Sequence, residues 1–161
     1  MLIRLLSTLS DEESACAARL YGAAGWTGEG GDCSFVRAAV AGSFLAAGAF
    51  EDGQLVGMGR VLSDGCSDAY IQDVVVDPGF RGRGIGGRLV MFLVGELRAR
   101  GVDWIALVGE PGTENFYARL GFERKAGYVL WKWNSGRDGF AASGADMIFD
   151  PLPTGGDRRE K

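Results

Sequence analysis

The sequence predicts an α/β (α+β) fold: one mixed sheet with helices on both faces, built from a single chain of 161 residues. Three stretches carry that expectation. Residues 44–65, FLAAGAFEDGQLVGMGRVLSDG, hold two apolar runs joined at Asp52-Gly53, the dipeptide that favours a tight hairpin turn. Residues 76–93, VDPGFRGRGIGGRLVMFL, run from a β-branched strand through Pro78 and a glycine- and arginine-rich turn into an apolar-periodic helix. Residues 104–110, WIALVGE, read as a further strand. An antiparallel hairpin feeding a strand–helix–strand crossover makes the sheet mixed.

The elements follow in order. Ser10 with Glu13 three residues later forms a capping box, so a helix runs from there to Ala24 and stops at Gly25. After the glycine-rich loop TGEGGD, Asp32 is placed to cap a second helix reaching Val40. The hairpin comes next, then a strand over AYIQDVVVDP to Pro78. The helix opened by the arginine turn extends to about Arg100, where Gly101 ends it. After WIALVGE, Thr113 starts a short helix ending near Leu120 and Gly121, and GFERKAGYVLWKW reads as a last strand. MIFD is a candidate edge strand. Residues 1–150 make the domain, with 151–161 as a flexible tail.

Composition removes several classes of function. A formal charge of −4 argues against a general nucleic-acid binder, whose affinity rests on clustered Lys and Arg. No apolar run reaches membrane-spanning length, and the start MLIRLLSTLSDEE has too short an apolar stretch for a secretory signal. The three cysteines, Cys16, Cys33 and Cys66, are widely spaced and form no C-x-x-C pair, so they read as reduced thiols of a cytoplasmic protein. The chain has no histidine, which removes imidazole bases, Ser-His-Asp triads and most transition-metal sites. No metal is expected. Proton transfer falls to carboxylates, tyrosine, thiols or water.

The turn between Val76 and the helix is built to hold an anion. Glycines at 82, 84, 86 and 87 allow close approach to backbone N–H groups, the helix start adds partial positive charge, and Arg81, Arg83 and Arg88 add full charges. A pyrophosphate fits this description. The P-loop pattern fails, because no G-K-[ST] follows. Gly82, Gly84 and Gly87 do satisfy G-x-G-x-x-G, with Asp103 about 20 residues on. However, five residues separate strand and first glycine, and Asp103 precedes its strand, so both facts count against a dinucleotide site.

Taken over a wider window, YIQDVVVDPGFRGRGIGGRLV followed by WIALVGEPGTENFYARLGF resembles the GNAT N-acetyltransferase family. Arg81, Gly84 and Gly86 match its R/Q-x-x-G-x-G/A turn, and FYARLGF matches its tyrosine-bearing helix. The resemblance covers roughly residues 44 to 133. It implies a three-layer acyl-CoA N-acyltransferase fold in which parallel strands 69–76 and 104–109 splay apart to admit acetyl-CoA as cosubstrate. The pantetheine arm would lie along the backbone of Val74, Val75 and Val76. The pyrophosphate would sit on the amides of Arg81, Gly82, Arg83, Gly84, Ile85, Gly86 and Gly87.

The resemblance also implies that Tyr117 lies beside the thiolate leaving group. A phenol, with a pKa of about 10, stays protonated at neutral pH and can donate at the moment of collapse. The acceptor amine must itself lose a proton, which costs about 4 to 5 kcal/mol at pH 7. Asp73 is the first candidate to take it, with Asp64 and Glu110 behind; Glu110 stands where many relatives carry asparagine. Trp26, Phe35, Glu51, Asp64 and Tyr70 are candidates to line an acceptor pocket. The expected reaction is direct transfer in a ternary complex to a small cationic amine, with a protein lysine or N-terminus as the second choice. A non-catalytic acyl-CoA-binding domain is the rival reading, and the family allows for a homodimer. Cys66 has no evident activating charge and is not expected to carry acetyl.

Overall fold

The computed structural model describes residues 1–27 and 33–130. The chain divides into two compact units, Met1–Gly127 and Tyr128–Lys161, and the fold described here is that of the first. The proposed Asp32 cap, the end of the last expected strand, the MIFD strand and the tail fall outside the described residues.

Among the described residues, five strands form one sheet in sequence order: β1 Leu2–Leu5, β2 Leu45–Glu51, β3 Gln54–Ser63, β4 Asp68–Val76 and β5 Trp104–Leu107. β1 to β4 pair antiparallel, and β5 is parallel to β4. The mixed sheet and the crossover are as expected. The hairpin turn has Asp52 at φ 48° and Gly53 at φ 82°, the doubly left-handed geometry that a two-residue connection favours. β1 was not expected. It is a four-residue edge strand whose side chains are largely exposed, so it leaves no apolar alternation to read.

Helices cover both faces. α1 (Asp11–Ala23) opens with the full capping box, Glu13 N–H donating to Ser10 Oγ at 3.1 Å and Ser10 N–H to Glu13 Oε2 at 2.8 Å. α2 (Phe35–Ala41) starts behind Ser34, later than a cap at Asp32 would set it. These two helices bury Leu20, Tyr21, Val36 and Val40 against Phe50, Leu55, Met58 and Val75. On the other face α3 (Ile85–Ala99) buries Ile85, Leu89, Leu93 and Leu97 against Ala47, Val56, Val61, Ala69 and Ile71. α4 (Glu114–Arg119) adds Phe116 and Tyr117 to that layer.

The expected strand over residues 121–133 does not form in its described part. Residues 121–130 carry no strand pairing, because Gly121 at φ 89° and Gly127 at φ 87° bend the chain. β5 likewise stops at Leu107, short of Glu110.

Glycines in β3 let α3 lie close. A Cβ on Gly57 would sit 3.0 Å from the Val75 carbonyl oxygen and 3.3 Å from Leu89 Cδ1, and one on Gly59 would sit 3.2 Å from Leu93 Cδ1. Gly57→Val should therefore lower unfolding free energy by about 1–3 kcal/mol through overpacking. Urea denaturation followed by circular dichroism checks this, with a lower midpoint at unchanged slope expected.

Candidate active site

The candidate cofactor side begins where the sheet opens. β4 and β5 pair from Asp68↔Trp104 to Ile71↔Leu107, and there β5 ends. β4 continues against β3 as far as Val76, so the edge of Gln72 to Val76 that faces away from β3 is released from strand pairing. Such an edge can hydrogen-bond an extended ligand as an added strand would. Val74 and Val76 pack their side chains toward α3, and Val75 packs toward α1.

Beyond β4, Asp77 caps a short 3₁₀ turn over Pro78–Phe80, accepting from Gly79 N–H at 2.8 Å. Gly82 at φ 77° and Gly84 at φ 74° reverse the chain into α3. The first backbone bond of the helix is Arg88 N–H to Gly84 O at 3.1 Å. The N–H groups of Gly82, Arg83, Gly84, Ile85, Gly86 and Gly87 have no acceptor among the described residues. Successive unpaired amides at a helix start form an anion cradle. The arginines brace it: Arg81 Nε donates to Val76 O at 3.1 Å, Arg88 to Arg83 O at 3.3 Å, and Arg83 lies over the Phe80 ring at 5.0 Å. All three are exposed, so their charges remain available to phosphate oxygens.

Gly86 and Gly87 do different work from Gly82 and Gly84. They lie in the first turn of α3, where an added Cβ would meet Phe116 or Leu120 of the α4 segment at 3.4 Å. Their smallness docks α4 onto α3. This sets Tyr117, whose ring would lie 3.5 Å from a Cβ on Gly109 just past β5. Burial, and then the negative charge of Glu110, raise the Tyr117 phenol above its ordinary pKa. Its hydroxyl has no hydrogen-bond partner among the described residues.

The other flank of the sheet opening is organised by Asp73. Between the pairs Met58↔Val75 and Arg60↔Gln72, two β4 residues, Asp73 and Val74, oppose the single Gly59. This is a β-bulge, with Asp73 left-handed at φ 52°. The sequence pattern placed Asp73 in alternation with Ile71 and Val75, but the extra residue inverts the alternation. Ile71 joins the α3 cluster and Val75 the α1 cluster. The Asp73 carboxylate is held at Oδ2 by an ion pair with Arg60 and by the Tyr21 hydroxyl, which donates at 2.6 Å. Tyr21 stacks edge-on against Trp26 and Phe35, with centroids 5.2 and 5.8 Å away, and Trp26 Nε1 donates to Glu110 Oε1 at 2.9 Å. A continuous wall thus runs from the β4 bulge through α1 to the loop after β5.

The acetyltransferase (GNAT) family model matches residues 9–122. The chain belongs to the GNAT acetyltransferase family. It is 36% identical over 91 residues to an N-acetyltransferase, ycf52, of Gracilaria tenuistipitata var. liui, a match covering 54% of this chain and 50% of that protein. It is 43% identical over 70 residues to the chloroplastic serotonin N-acetyltransferase 2 of Oryza sativa subsp. japonica, covering 44% of this chain and 35% of that one. The chain thus spans half or less of the length of these curated relatives. A GNAT-family acetyltransferase from Streptococcus pneumoniae TIGR4 superposes with a TM-score of 0.65 at 25% identity, over 83% of this chain and 98% of that one.

Within this GNAT domain, three acceptor-pocket candidates lie elsewhere. Asp64 accepts from the N–H groups of Cys66, Ser67 and Asp68 and from the Ser67 hydroxyl, capping its own loop at the end of β4 opposite the splay. Those donors hold its carboxyl far below the usual range. The same carboxylate pushes the Cys66 thiol up, consistent with an unreactive cysteine. Glu51 pairs with the N-terminal ammonium at 3.3 Å beside the hairpin turn, and Tyr70 stacks on Trp104 at 5.4 Å near the start of β5. Conversely, Tyr21 and Arg60 were not singled out from sequence. Each sits 13 or more residues from Asp73 along the chain, and no local spacing links them.

Burial and the Asp73 carboxylate raise the pKa of Tyr21 far above that of a free phenol. With the folded value above the unfolded one, its contribution to stability is complete below about pH 10 and is lost as pH rises from there toward the raised value. Tyr21→Phe should cost about 1–2 kcal/mol at pH 7. The gap between wild type and variant should close in alkaline solution, as read by urea denaturation from pH 7 to 11.

Proposed function

We propose that the protein transfers the acetyl group of acetyl-CoA to a primary amine by direct attack within a ternary complex, with a small cationic amine as acceptor. The observation that carries this is the joining of two features: amides from Gly82 to Gly87 with no acceptor among the described residues, and a β4 edge freed from β5 beyond Ile71. One suits a pyrophosphate and the other an extended pantetheine arm, and they are contiguous in the chain. The residues assigned to the cofactor are Val74, Val75, Val76, Arg81, Gly82, Arg83, Gly84, Ile85, Gly86 and Gly87.

In this reading the amine attacks the thioester carbon while backbone N–H groups of the splayed β4 steady the oxyanion. Tyr117 protonates the departing sulfur. Its raised pKa keeps the phenol protonated, and its hydroxyl, without a hydrogen-bond partner among the described residues, is available to donate. Asp73 receives the proton of the amine, directly or through water, at Oδ1. Arg60 and Tyr21 both occupy Oδ2 and fix the orientation of the carboxylate. Positioning supplies much of the acceleration, and no covalent enzyme intermediate is needed.

Residues 1–150 are the proposed extent of the acetyltransferase domain, and the cytoplasm its proposed location. No helix among the described residues is long and apolar enough to cross a membrane.

Calorimetric titration with acetyl-CoA should show saturable binding. Gly84→Val, which forces a branched side chain into φ 74°, should weaken it about tenfold or more by disturbing the cradle. No heat and no melting shift with acetyl-CoA would contradict the assignment. Tyr117→Phe should lower kcat by about 10²-fold while leaving acetyl-CoA affinity nearly unchanged. Because the phenol is raised, the alkaline loss of kcat that reports its ionisation should begin above about pH 10 and disappear in the variant.

A further inference from the structure

No described residue hydrogen-bonds the Tyr117 hydroxyl, so its aim rests on whatever holds the ring and backbone of that residue. α4 alone cannot supply this, having six residues and no side-chain cap at its start. The Thr113 hydroxyl, which stands at the cap position, instead donates back to the Glu110 carbonyl oxygen at 2.6 Å, and Thr113 N–H donates to the same oxygen at 3.1 Å. The Thr113 carbonyl in turn accepts from Phe116 N–H at 3.0 Å and from Tyr117 N–H at 3.1 Å. The phenol ring leans on this turn: a Cβ on Gly109 would lie 2.9 Å from Thr113 Oγ1 and 3.5 Å from the Tyr117 ring. Glu110 is therefore the root of the segment that carries Tyr117. Its side chain is held from 84 positions away, Trp26 Nε1 donating to Glu110 Oε1 at 2.9 Å. Trp26 follows α1, whose cluster lies on the other face of the sheet from that of α4.

We infer that Trp26 is a positioning residue for Tyr117: by donating to the Glu110 carboxylate, its indole fixes the turn on which the phenol stands. This rests on the acetyltransferase reading and adds a residue to it. Protonating the departing sulfur needs the phenol within hydrogen-bond reach, and a displacement of about 1 Å costs on the order of 10²-fold in rate. The bond joins two exposed side chains, so it does little for overall stability, and its effect falls on the placement of the loop. The charge of Glu110 is a separable effect. Together with burial it raises the phenol, whose other near neighbours are the uncharged rings of Phe116 and Phe122.

Trp26→Phe tests this, because it keeps an aromatic ring against Tyr21 and removes the N–H donor. In cofactor-free protein carrying isotope-labelled tyrosine, the Tyr117 resonance is assigned by its loss in Tyr117→Phe and titrated by NMR. Its midpoint should move down toward the ordinary phenol value in Trp26→Phe, because the released carboxylate leaves the ring. With acetyl-CoA and spermidine as the amine, kcat for release of the CoA thiol should fall about tenfold in Trp26→Phe, with acetyl-CoA affinity unchanged by calorimetry. In a Tyr117→Phe background the same change should cost less than about twofold. Glu110→Gln keeps an acceptor for the indole N–H, so it should retain more kcat than Glu110→Ala, although both lower the phenol midpoint. An unmoved midpoint in Trp26→Phe, full additivity with Tyr117→Phe, or equal losses in Glu110→Gln and Glu110→Ala overturns the inference. Absence of heat with acetyl-CoA in the wild-type protein removes the acetyltransferase reading instead, and the phenol titration then decides by itself whether Trp26 holds the turn.

Discussion

One additional residue in β4 shapes both halves of the site. Where Asp73 and Val74 face the lone Gly59, the pleat slips by one and the strand bends. A left-handed aspartate costs on the order of 1 kcal/mol, less than a β-branched residue would, and the geometry is held by neighbours. Gly59 leaves room for Val74 and Leu93, while Arg60 and Tyr21 grip the carboxylate that the bulge turns toward α1. Past the bulge, β4 stays with β3 while β5 has already stopped. The cleft and the carboxylate at its side thus share one physical origin.

The rest of the site is arranged just past the bulge, beyond the C-terminal end of the same strand. Small residues at the start of α3 admit Phe116 and Leu120, so the short α4 is fixed by packing despite having only six residues. An isolated helix of that length would not persist in water. Its docking brings Tyr117 to Gly109, past the end of β5, while the amides ahead of the helix remain open. The glycine-rich run therefore serves two purposes. Gly82 and Gly84 supply backbone angles, and Gly86 and Gly87 supply the absence of side chains.

Acidic charge around the sheet opening is distributed by folding rather than by local sequence. Asp64, Glu51, Asp73 and Glu110 are all plausible acids when read as letters. The sheet sends Asp64 to the far end of β4 and Glu51 to the hairpin turn, and it pairs Asp73 with the half-buried Arg60 and with Tyr21. Of these four, Glu110 alone keeps an exposed carboxylate against an aromatic ring, that of Trp26.

Much of the architecture was legible in the residues. The capping box at Ser10, the Asp52-Gly53 turn, the apolar period of α3 and the glycine stops at 25 and 101 each express a preference of a few neighbouring residues, and each appears where expected. The glycine-rich turn ahead of α3 was equally local. Three things were not. β1 is held by partners some 40 to 50 positions away, the bulge depends on what opposes β4, and the Tyr21–Asp73–Arg60 cluster joins three separate elements. Local chemistry set the turns, caps and periods, because those energies act within a few residues. Register, strand separation and the pairing of distant charges required the packed sheet, because only there do residues far apart in the chain meet.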